Sequence, residues 1–170
     1  MVDPARNGAE LSLRGVGRSL PSGGNLLAIL AGIDLDIARG EFLAVLGPSG
    51  SGKSTLLALM AGLDRPSAGE VVLDGERIDT LSEDRLAVLR RHKIGFVFQS
   101  FQLLGNLTAR ENVQLPLELL GASNPRVRAD GLLESVGLSE RGHHYPTQLS
   151  GGEQQRVALA RAFAPRPTLL

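Results

Sequence analysis

A glycine-rich stretch between two apolar segments constrains this chain more than any other feature. Its residues are Gly47, Pro48, Ser49, Gly50, Ser51, Gly52, Lys53, Ser54 and Thr55. The apolar run before it, residues 41–46, predicts a buried strand, and the run after it, residues 56–61, predicts a buried helix. A strand, a glycine-rich loop, a lysine, a hydroxyl group and a helix in this order are the arrangement that a phosphate-binding P-loop needs.

The residue types in this loop suit the chemistry of a nucleotide. Gly47 and Gly52 allow backbone conformations that a Cβ atom would forbid, so several N–H groups can point at one anion. The helix adds its positive dipole end, Lys53 would reach the β- and γ-phosphates, and the Ser54 hydroxyl would bind Mg²⁺. The alternative is a glycine-rich turn that binds nothing. The strand and helix on either side favour nucleotide binding.

Composition and charge narrow the class of protein. The 170 residues suffice for about one domain, and 42% of them are hydrophobic, so the chain can bury a core. Lys and Arg number 18, as do Asp and Glu, which gives no electrostatic case for binding nucleic acid or an acidic membrane. Because cysteine is absent, there is no disulfide framework and no thiolate metal site.

We expect no targeting or membrane-spanning segment in this sequence. The N-terminus lacks a basic stretch followed by an apolar one, so we predict no signal peptide. Apolar runs such as residues 26–31 are far shorter than a membrane span. We therefore expect a soluble chain in which any membrane role passes through a partner.

The first half of the chain is rich in strand and turn patterns. Residues 11–13 alternate and predict an edge strand, and residues 21–25 predict a turn. Residues 33–37 predict a half-buried strand whose two aspartates share the solvated face, which is favoured over a catalytic carboxylate pair. Residues 70–73 predict a strand that enters a hairpin turn at residues 74–75.

Helix starts are marked by paired capping residues. A helix that begins at Asn124 and Pro125 is expected to end at Gly137. The basic run at residues 90–93 is explained better by the dipole of a helix C-terminus than by a nucleic-acid patch. Capping boxes are predicted for Thr80 with Glu83, Thr108 with Glu111, and Ser150 with Glu153.

Two further positions have polar side chains of chemical interest. Residues 94–98 predict a buried strand of a parallel sheet, and Gln99 follows it at the edge where ligands bind in such sheets. Its amide could offer oxygen to Mg²⁺ or hold a water molecule, although an ordinary loop residue is the alternative. His143, His144 and Tyr145 are adjacent on an irregular segment, which favours a structural or surface role over metal binding.

The second informative stretch is residues 148–162. Ser150 begins a helix whose first two positions are glycines, although each glycine costs roughly 1 kcal/mol relative to alanine in a helix. Fold stability alone does not favour that choice. Bare glycines at a capped N-terminus let an anion approach the N–H groups closely. Since one nucleotide needs only one P-loop, this second site is expected to grip the γ-phosphate of a nucleotide on another molecule.

Three motifs together resemble those of the ATP-binding subunit of an ABC transporter. Residues 47–55 match the Walker A motif, Gln99 resembles the Q-loop, and residues 149–154 are similar to the family signature. The signature is highly specific, because ordinary P-loop kinases and small GTPases lack it. The resemblance covers about residues 26–170. The lipoprotein-release and macrolide-export branch is indicated by shorter stretches at residues 98–101, 111–113 and 145–148.

The resemblance implies a fold and an organisation. The fold would be α/β, a P-loop NTPase core of the ABC ATPase type with an antiparallel β subdomain, a helical subdomain and an incomplete sheet. Residues 1–170 would form a single, partial ATP-binding domain. The helical subdomain would occupy about residues 100–150.

The resemblance also implies a function. Two subunits would hold two molecules of ATP with Mg²⁺ between them, head to tail. Each nucleotide would lie between Lys53 of one subunit and the signature of the other. Ser54 and Gln99 would bind Mg²⁺, and Gln99 would also position water and face the membrane partner. ATP binding and hydrolysis would drive a transmembrane permease, for export or lipoprotein extraction, from the cytoplasmic side of the membrane. The signature residues are Leu149, Ser150, Gly151, Gly152, Glu153 and Gln154.

The chain departs from the family pattern in two places. Leu20 occupies the position where family members usually stack an aromatic ring on the adenine. Residues 167–170 resemble the start of the Walker B strand, and no Asp or Glu follows Glu153. The Walker B aspartate, the catalytic glutamate, the D-loop and the switch histidine would therefore belong to a longer sequence. We expect residues 1–170 alone to hydrolyse ATP at background rate and to fold poorly.

Two other classes of protein remain as alternatives. A non-transport ABC module of the cell-division type would share every motif, and only an adjacent permease gene would distinguish it. A soluble P-loop kinase or DNA-repair ATPase would lack the signature or separate it from Walker A by a long coiled coil, which is not seen between Lys53 and Leu149.

Overall fold

The computed structural model describes residues 9–170, which form two compact units, residues 9–86 and 87–170. Residues 1–8, on which the prediction of no signal peptide depends in part, lie outside the described range. The first unit contains β1 (Ala9–Ser22), β2 (Asn25–Ala38), α1 (Lys53–Met60), β3 (Ala68–Leu73) and β4 (Glu76–Arg77). The boundary falls within α2 (Glu83–Lys93), and the second unit contains α3 (Ala109–Leu119), α4 (Pro125–Ser135) and α5 (Gly151–Phe163).

The first unit is built on a four-stranded antiparallel sheet with the order β2-β1-β3-β4. The strand predicted at residues 11–13 is confirmed as part of β1, whereas its predicted edge position is wrong, because β1 is an interior strand. Leu13 lies opposite Leu35 of β2 on one side and Val71 of β3 on the other. The side chains of Leu11 and Leu13 are fully buried, so the apolar face of β1 anchors the core of this unit.

The two aspartates of β2 accept hydrogen bonds from β1. Asp34 and Asp36 are exposed on alternate positions, as the pattern of residues 33–37 predicts. The hydroxyl of Ser12 donates to Asp36 at 2.7 Å, and the Asp34 carboxylate accepts from the N–H of Gly15 at 2.8 Å. Hydrogen bonds from Ser12 and then Arg14 hold the pKa of Asp36 below its ordinary value. These contacts support a structural role for the two aspartates over a catalytic one.

The predicted strand at residues 41–46 is wrong. Among residues 9–170 this run has no strand partner, and Phe42 and Leu46 are 94% and 89% exposed. An apolar run becomes a strand only where another strand supplies hydrogen bonds, and the sheet of this unit does not extend to it. The helix predicted at residues 56–61 is confirmed, and it begins earlier, at Lys53.

The turns of the first unit follow the predicted residues, whereas one helix cap does not. The hairpin turn at residues 74–75 joins β3 to β4, and both residues have positive φ. The cap of α2 is Ser82, whose hydroxyl accepts from the N–H of Arg85 at 3.4 Å. The predicted cap at Thr80 is wrong, because a turn closed by the N–H of Leu81 and the carbonyl of Ile78 contains it.

The second unit is a helical assembly around one buried cluster. The capping boxes predicted at Thr108 and Ser150 are confirmed, and Asn124 and Pro125 begin α4 as expected. Short 3-10 helices at Ser139–Arg141 and Pro146–Gln148 connect α4 to α5. The cluster consists of Ala109, Val113, Leu117, Ala129, Leu133, Leu138, Leu149, Val157, Ala160 and Ala164.

Only the first residue of the predicted strand at 94–98 forms a sheet contact. Ile94 makes a parallel bridge with Leu169, and the N–H of Gly95 donates to the Leu169 carbonyl at 2.9 Å. A Cβ atom on Gly95 would collide with the carbonyl oxygen of Ala162, so glycine permits this close approach. Within residues 9–170, no helix has the length and apolar character to cross a membrane.

Candidate nucleotide-binding site

The glycine-rich loop bends sharply into α1 at Gly52. This residue precedes the helix with φ 86° and ψ 6°, a left-handed conformation that favours glycine. A Cβ atom here would lie 2.9 Å from Cδ2 of Leu30 and 3.1 Å from the carbonyl oxygen of Ile29. Both the backbone conformation and the crowding therefore require glycine, and they fix how the loop enters the helix.

Lys53 is the first residue of α1, and its side chain folds back over the loop. Its Nζ donates to the carbonyl oxygens of Gly47 at 2.9 Å and Pro48 at 2.7 Å. An ammonium group has three N–H donors, so these bonds leave one for a ligand. The first turn of α1 contains no acidic residue, so its positive dipole end is not neutralised locally.

The loop borders a cavity of about 330 Å³ within the first unit. About half of its wall is polar, and the one charged residue among the described lining residues is a lysine, which suits a phosphate chain. Ile29 of β2 adds an apolar wall that sequence reasoning missed, because the pairing of β1 with β2 places it there. The described residues that line it are Ile29, Ser49, Gly50, Gly52, Lys53, Ser54 and Thr55. Leu20, the expected adenine contact, is absent from that set and lies 42% exposed opposite Leu27.

The second predicted anion site is the N-terminus of α5, in the second unit. The backbone N–H and the hydroxyl of Ser150 donate to the Glu153 carboxylate at 2.8 and 2.7 Å. The Ser150 hydroxyl oxygen accepts the Glu153 N–H at 3.3 Å. The hydrogen bond from the Ser150 hydroxyl, followed by that from its N–H, holds the pKa of Glu153 below its ordinary value. Arg141 pairs with the same carboxylate at 3.1 Å.

The two glycines of this helix start have no packing reason to be glycine. A Cβ atom on Gly151 would meet nothing within 4 Å, and one on Gly152 would meet only the Arg156 guanidinium at 3.7 Å. Both glycines are exposed and helical. Alanine is a better helix former, so packing within the described residues does not account for glycine at either position.

The remaining signature residues support this helix start. Leu149 is buried in the helical cluster. The Gln154 amide donates to the carbonyl oxygens of Pro146 at 3.0 Å and Leu149 at 3.1 Å, which fastens the preceding 3-10 turn to α5. Ser150, Gly151 and Gly152 are consequently the part of the signature that faces outward.

Gln99 is exposed in a turn of the second unit, and the P-loop belongs to the first. Its contact with Mg²⁺ stays a prediction. The segment after it is held by two residues that sequence reasoning missed: Arg161 donates to the carbonyls of Phe101 and Gln102, and buried Asn112 bonds to Leu104. Arg161 is 59 and 60 positions away from these carbonyls, so no local pattern pointed to it.

His144 has a structural position. Its carbonyl accepts the N–H of Ala109 at 2.8 Å, and its own N–H donates to the Arg141 carbonyl at 3.0 Å. The rings of His143 and His144 lie 4.3 Å apart between centroids. Over residues 9–170, no cluster of three or more His, Asp or Glu side chains is arranged to hold a metal ion.

A P-loop, a capped glycine pair and a four-stranded antiparallel sheet define an ATP-binding cassette, and the comparisons with known proteins agree. The ABC transporter family model matches residues 30–170, and the chain belongs to this family. The predicted family and the predicted fold class are therefore confirmed.

Relatives of this chain include two bacterial proteins and one solved structure. The macrolide export ATP-binding/permease protein MacB 1/2 of Paracoccus denitrificans is 52% identical over 94% of this chain and 24% of that protein. The uncharacterized ABC transporter ATP-binding protein YbbA of Escherichia coli K12 is 52% identical over 98% of this chain and 73% of that protein. The chain thus spans about a quarter of the length of MacB.

The solved structure is a dimeric post-hydrolysis state of the ATP-binding cassette MJ0796 bound to ADP and Pi. It is 45% identical in sequence and superimposes with a TM-score of 0.84, covering 92% of this chain and 70% of that one.

Proposed function

We propose that this chain is the ATP-binding part of an ABC transporter and that residues 47–55 bind the phosphates of MgATP. Two observations support the P-loop assignment: Lys53 lies across the loop, and the adjoining cavity is lined by hydroxyl groups. In this arrangement Lys53 would hold the β- and γ-phosphates, while Ser54 and Gln99 would hold Mg²⁺.

The observation that carries the proposal is the helix start at Ser150. Gly151 and Gly152 are exposed glycines that the fold does not need, and they sit where an anion could approach the N–H groups. We infer that a nucleotide held by a second copy occupies this position, which gives a head-to-tail dimer with two composite sites. The MJ0796 cassette, described as dimeric and bound to ADP and Pi, supports this assembly.

The chemical output would be ATP hydrolysis coupled to transport. No acidic side chain is found among the described residues that line the P-loop cavity, so we assign MgATP binding to these residues and hydrolysis to the whole protein. The partner would be a transmembrane permease that carries out export or lipoprotein extraction. MacB, whose name combines an ATP-binding part with a permease for macrolide export, favours transport over a non-transport module.

Binding of MgATP to Lys53 variants tests the proposal. In isothermal titration calorimetry, Lys53→Gln should raise the Kd for MgATP at least about tenfold, which corresponds to 1.4 kcal/mol. Lys93→Gln at the end of α2 is the matched control and should leave the Kd unchanged. Equal affinity of the wild type and Lys53→Gln, or a wild type that does not bind MgATP, would refute the assignment.

A further inference from the structure

Arg161 donates hydrogen bonds to two consecutive carbonyl groups of the segment that follows Gln99. It lies near the C-terminal end of α5, and its guanidinium donates to the carbonyl of Phe101 at 2.7 Å and to that of Gln102 at 2.7 Å. The planar fork of an arginine presents its N–H donors in a fixed geometry, so it can hold both acceptors at once and fix their relative position. The contact joins α5 to a segment about 60 positions earlier in the chain.

The segment that Arg161 holds is strained. Phe101 and Gln102 have φ of 58° and 45°, the left-handed region that residues with a Cβ seldom adopt. Each such residue costs of order 1–3 kcal/mol, and two in succession persist only when the surroundings hold them. The turn is tight, since the Gln102 N–H donates to the Ser100 carbonyl at 2.6 Å.

A second residue holds the far end of the same segment. Asn112 of α3 is fully buried, and its amide bonds to both the N–H and the carbonyl of Leu104. The segment between Gln99 and Leu104 is therefore anchored to α5 on one side and to α3 on the other. Of these two anchors, only Arg161 belongs to the signature helix.

The contacts of Arg161 with the described residues indicate that it positions backbone groups and does not form an ion pair with a carboxylate. Both described hydrogen bonds of its side chain go to neutral backbone carbonyls, and burial lowers its pKa from the ordinary value. Placing a cation against two carbonyls of a strained turn has a geometric effect, because it fixes where those carbonyls lie.

We propose that Arg161 is a positioning residue that makes the Gln99 segment move with the signature helix. The inference rests on the proposed function, in which Ser150 and its glycines contact one nucleotide phosphate and Gln99 senses Mg²⁺ and the γ-phosphate. From Gly151 to Arg161, α5 is a rod about 15 Å long, at 1.5 Å per residue. A displacement of the N-terminus of α5 would therefore also displace the turn that contains Gln99, and a displacement of that turn would also displace α5.

Hydrogen–deuterium exchange on the purified chain tests this link without relying on activity. In the absence of nucleotide, Arg161→Gln should accelerate exchange at least about tenfold at the amides of Phe101, Gln102 and Leu104, while the interior of α5 keeps its rate. Arg161→Lys should give an intermediate rate, because an ammonium group lacks the fixed planar donor geometry of a guanidinium and orders the two carbonyls less firmly.

A matched control is available in the same unit. Arg128 of α4 donates to the carbonyl of Ala164 at 3.4 Å, so it also ties an arginine to a backbone carbonyl at the end of α5. This side-chain hydrogen bond goes to α5 and not to the Gln99 segment. Arg128→Gln should therefore leave exchange at residues 99–104 unchanged.

Adding MgATP tests the transmission. In the wild type, MgATP should slow exchange at residues 150–154 and also at residues 99–104. In Arg161→Gln the slowing should persist at residues 150–154 and at Gln99, which would contact Mg²⁺ directly, and should be lost at residues 101–104. Slowing of exchange at residues 101–104 in this variant, or wild-type exchange at residues 101–104 without nucleotide, would overturn the inference.

The remaining outcomes are also decisive. If Arg161→Gln fails to fold, Arg161→Lys is judged by the same two comparisons. A wild type that shows no response to MgATP anywhere would refute the proposed function, whereas the nucleotide-free comparison would still decide whether Arg161 holds the segment. Acceleration throughout the second unit in both variants would make Arg161 a stability residue and overturn its positioning role.

Discussion

Replacing Gly151 by alanine should strengthen the fold and weaken the proposed nucleotide-dependent dimer. A Cβ atom at this position meets nothing within 4 Å, so the change introduces no clash. Alanine is better than glycine in a helix by about 0.5–1 kcal/mol. For a chain of this size, that gain raises the Tm by about 1–4 °C.

The loss of function comes from the same methyl group. An anion at the start of α5 would approach the N–H groups to about 2.9 Å, and a Cβ atom beside them obstructs that approach. A hydrogen bond to a charged group contributes about 1.5–3 kcal/mol. Gly151→Ala should thus weaken MgATP-dependent dimerisation at least about tenfold, measured by sedimentation velocity with increasing MgATP.

The control for this pair of effects is Gly131→Ala in α4. Gly131 is also exposed and helical, and a Cβ atom there also meets nothing within 4 Å. It should raise the Tm by the same amount and leave dimerisation unchanged. A lower Tm for Gly151→Ala would refute the packing argument, and dimerisation equal to that of the wild type would refute the anion site.

Three further predictions address the loop, the buried amide and the helix cap. Gly52→Ala should lower the free energy of unfolding by about 1–2 kcal/mol or more, measured by urea denaturation, because its φ is positive and Leu30 crowds the site; an unchanged urea midpoint would contradict this. Asn112→Ala should lower the free energy of unfolding by about 2–3 kcal/mol in the same assay, since it removes four hydrogen bonds and leaves the Leu104 N–H unpaired. A decrease below about 0.5 kcal/mol would show that these hydrogen bonds do not stabilise the fold. Glu153 has a lowered pKa, so its stabilising effect is fully present above the ordinary value of 4.5 and is lost as the pH falls through the lower folded-state pKa. Glu153→Gln should therefore show a smaller fall in urea midpoint than the wild type as the pH drops below 4.5. Equal falls in the two proteins would disprove this.

Local features of the fold could be predicted from the sequence. The capping boxes at Thr108 and Ser150 are completed by side chains three positions away, so the pattern contains both partners. The P-loop could be predicted for the same reason, since its glycines, lysine and hydroxyls are contiguous. The Thr80 prediction failed because a competing turn, closed at Leu81, has an equally local cause that the spacing rule does not weigh.

Each predicted strand that formed has a hairpin partner next to it in the chain, although β3 also pairs with β1, which is distant in the chain. The turn at residues 21–25 joins β1 directly to β2, and residues 74–75 join β3 to β4. Residues 41–46 and 94–98 have the apolar composition of strands, and yet composition does not supply a hydrogen-bond partner. In residues 9–170 the first run has none, and the second has a single bridge to Leu169.

The glycine-rich loop and the capped glycine pair were determined by the sequence itself, because each is made from neighbouring residues. The tertiary structure decided what lies around them. Strand pairing placed Ile29 beside the loop, and helix packing brought Arg161 to carbonyls about 60 positions away. Such contacts depend on how distant segments are brought together, and a one-dimensional pattern does not contain that information.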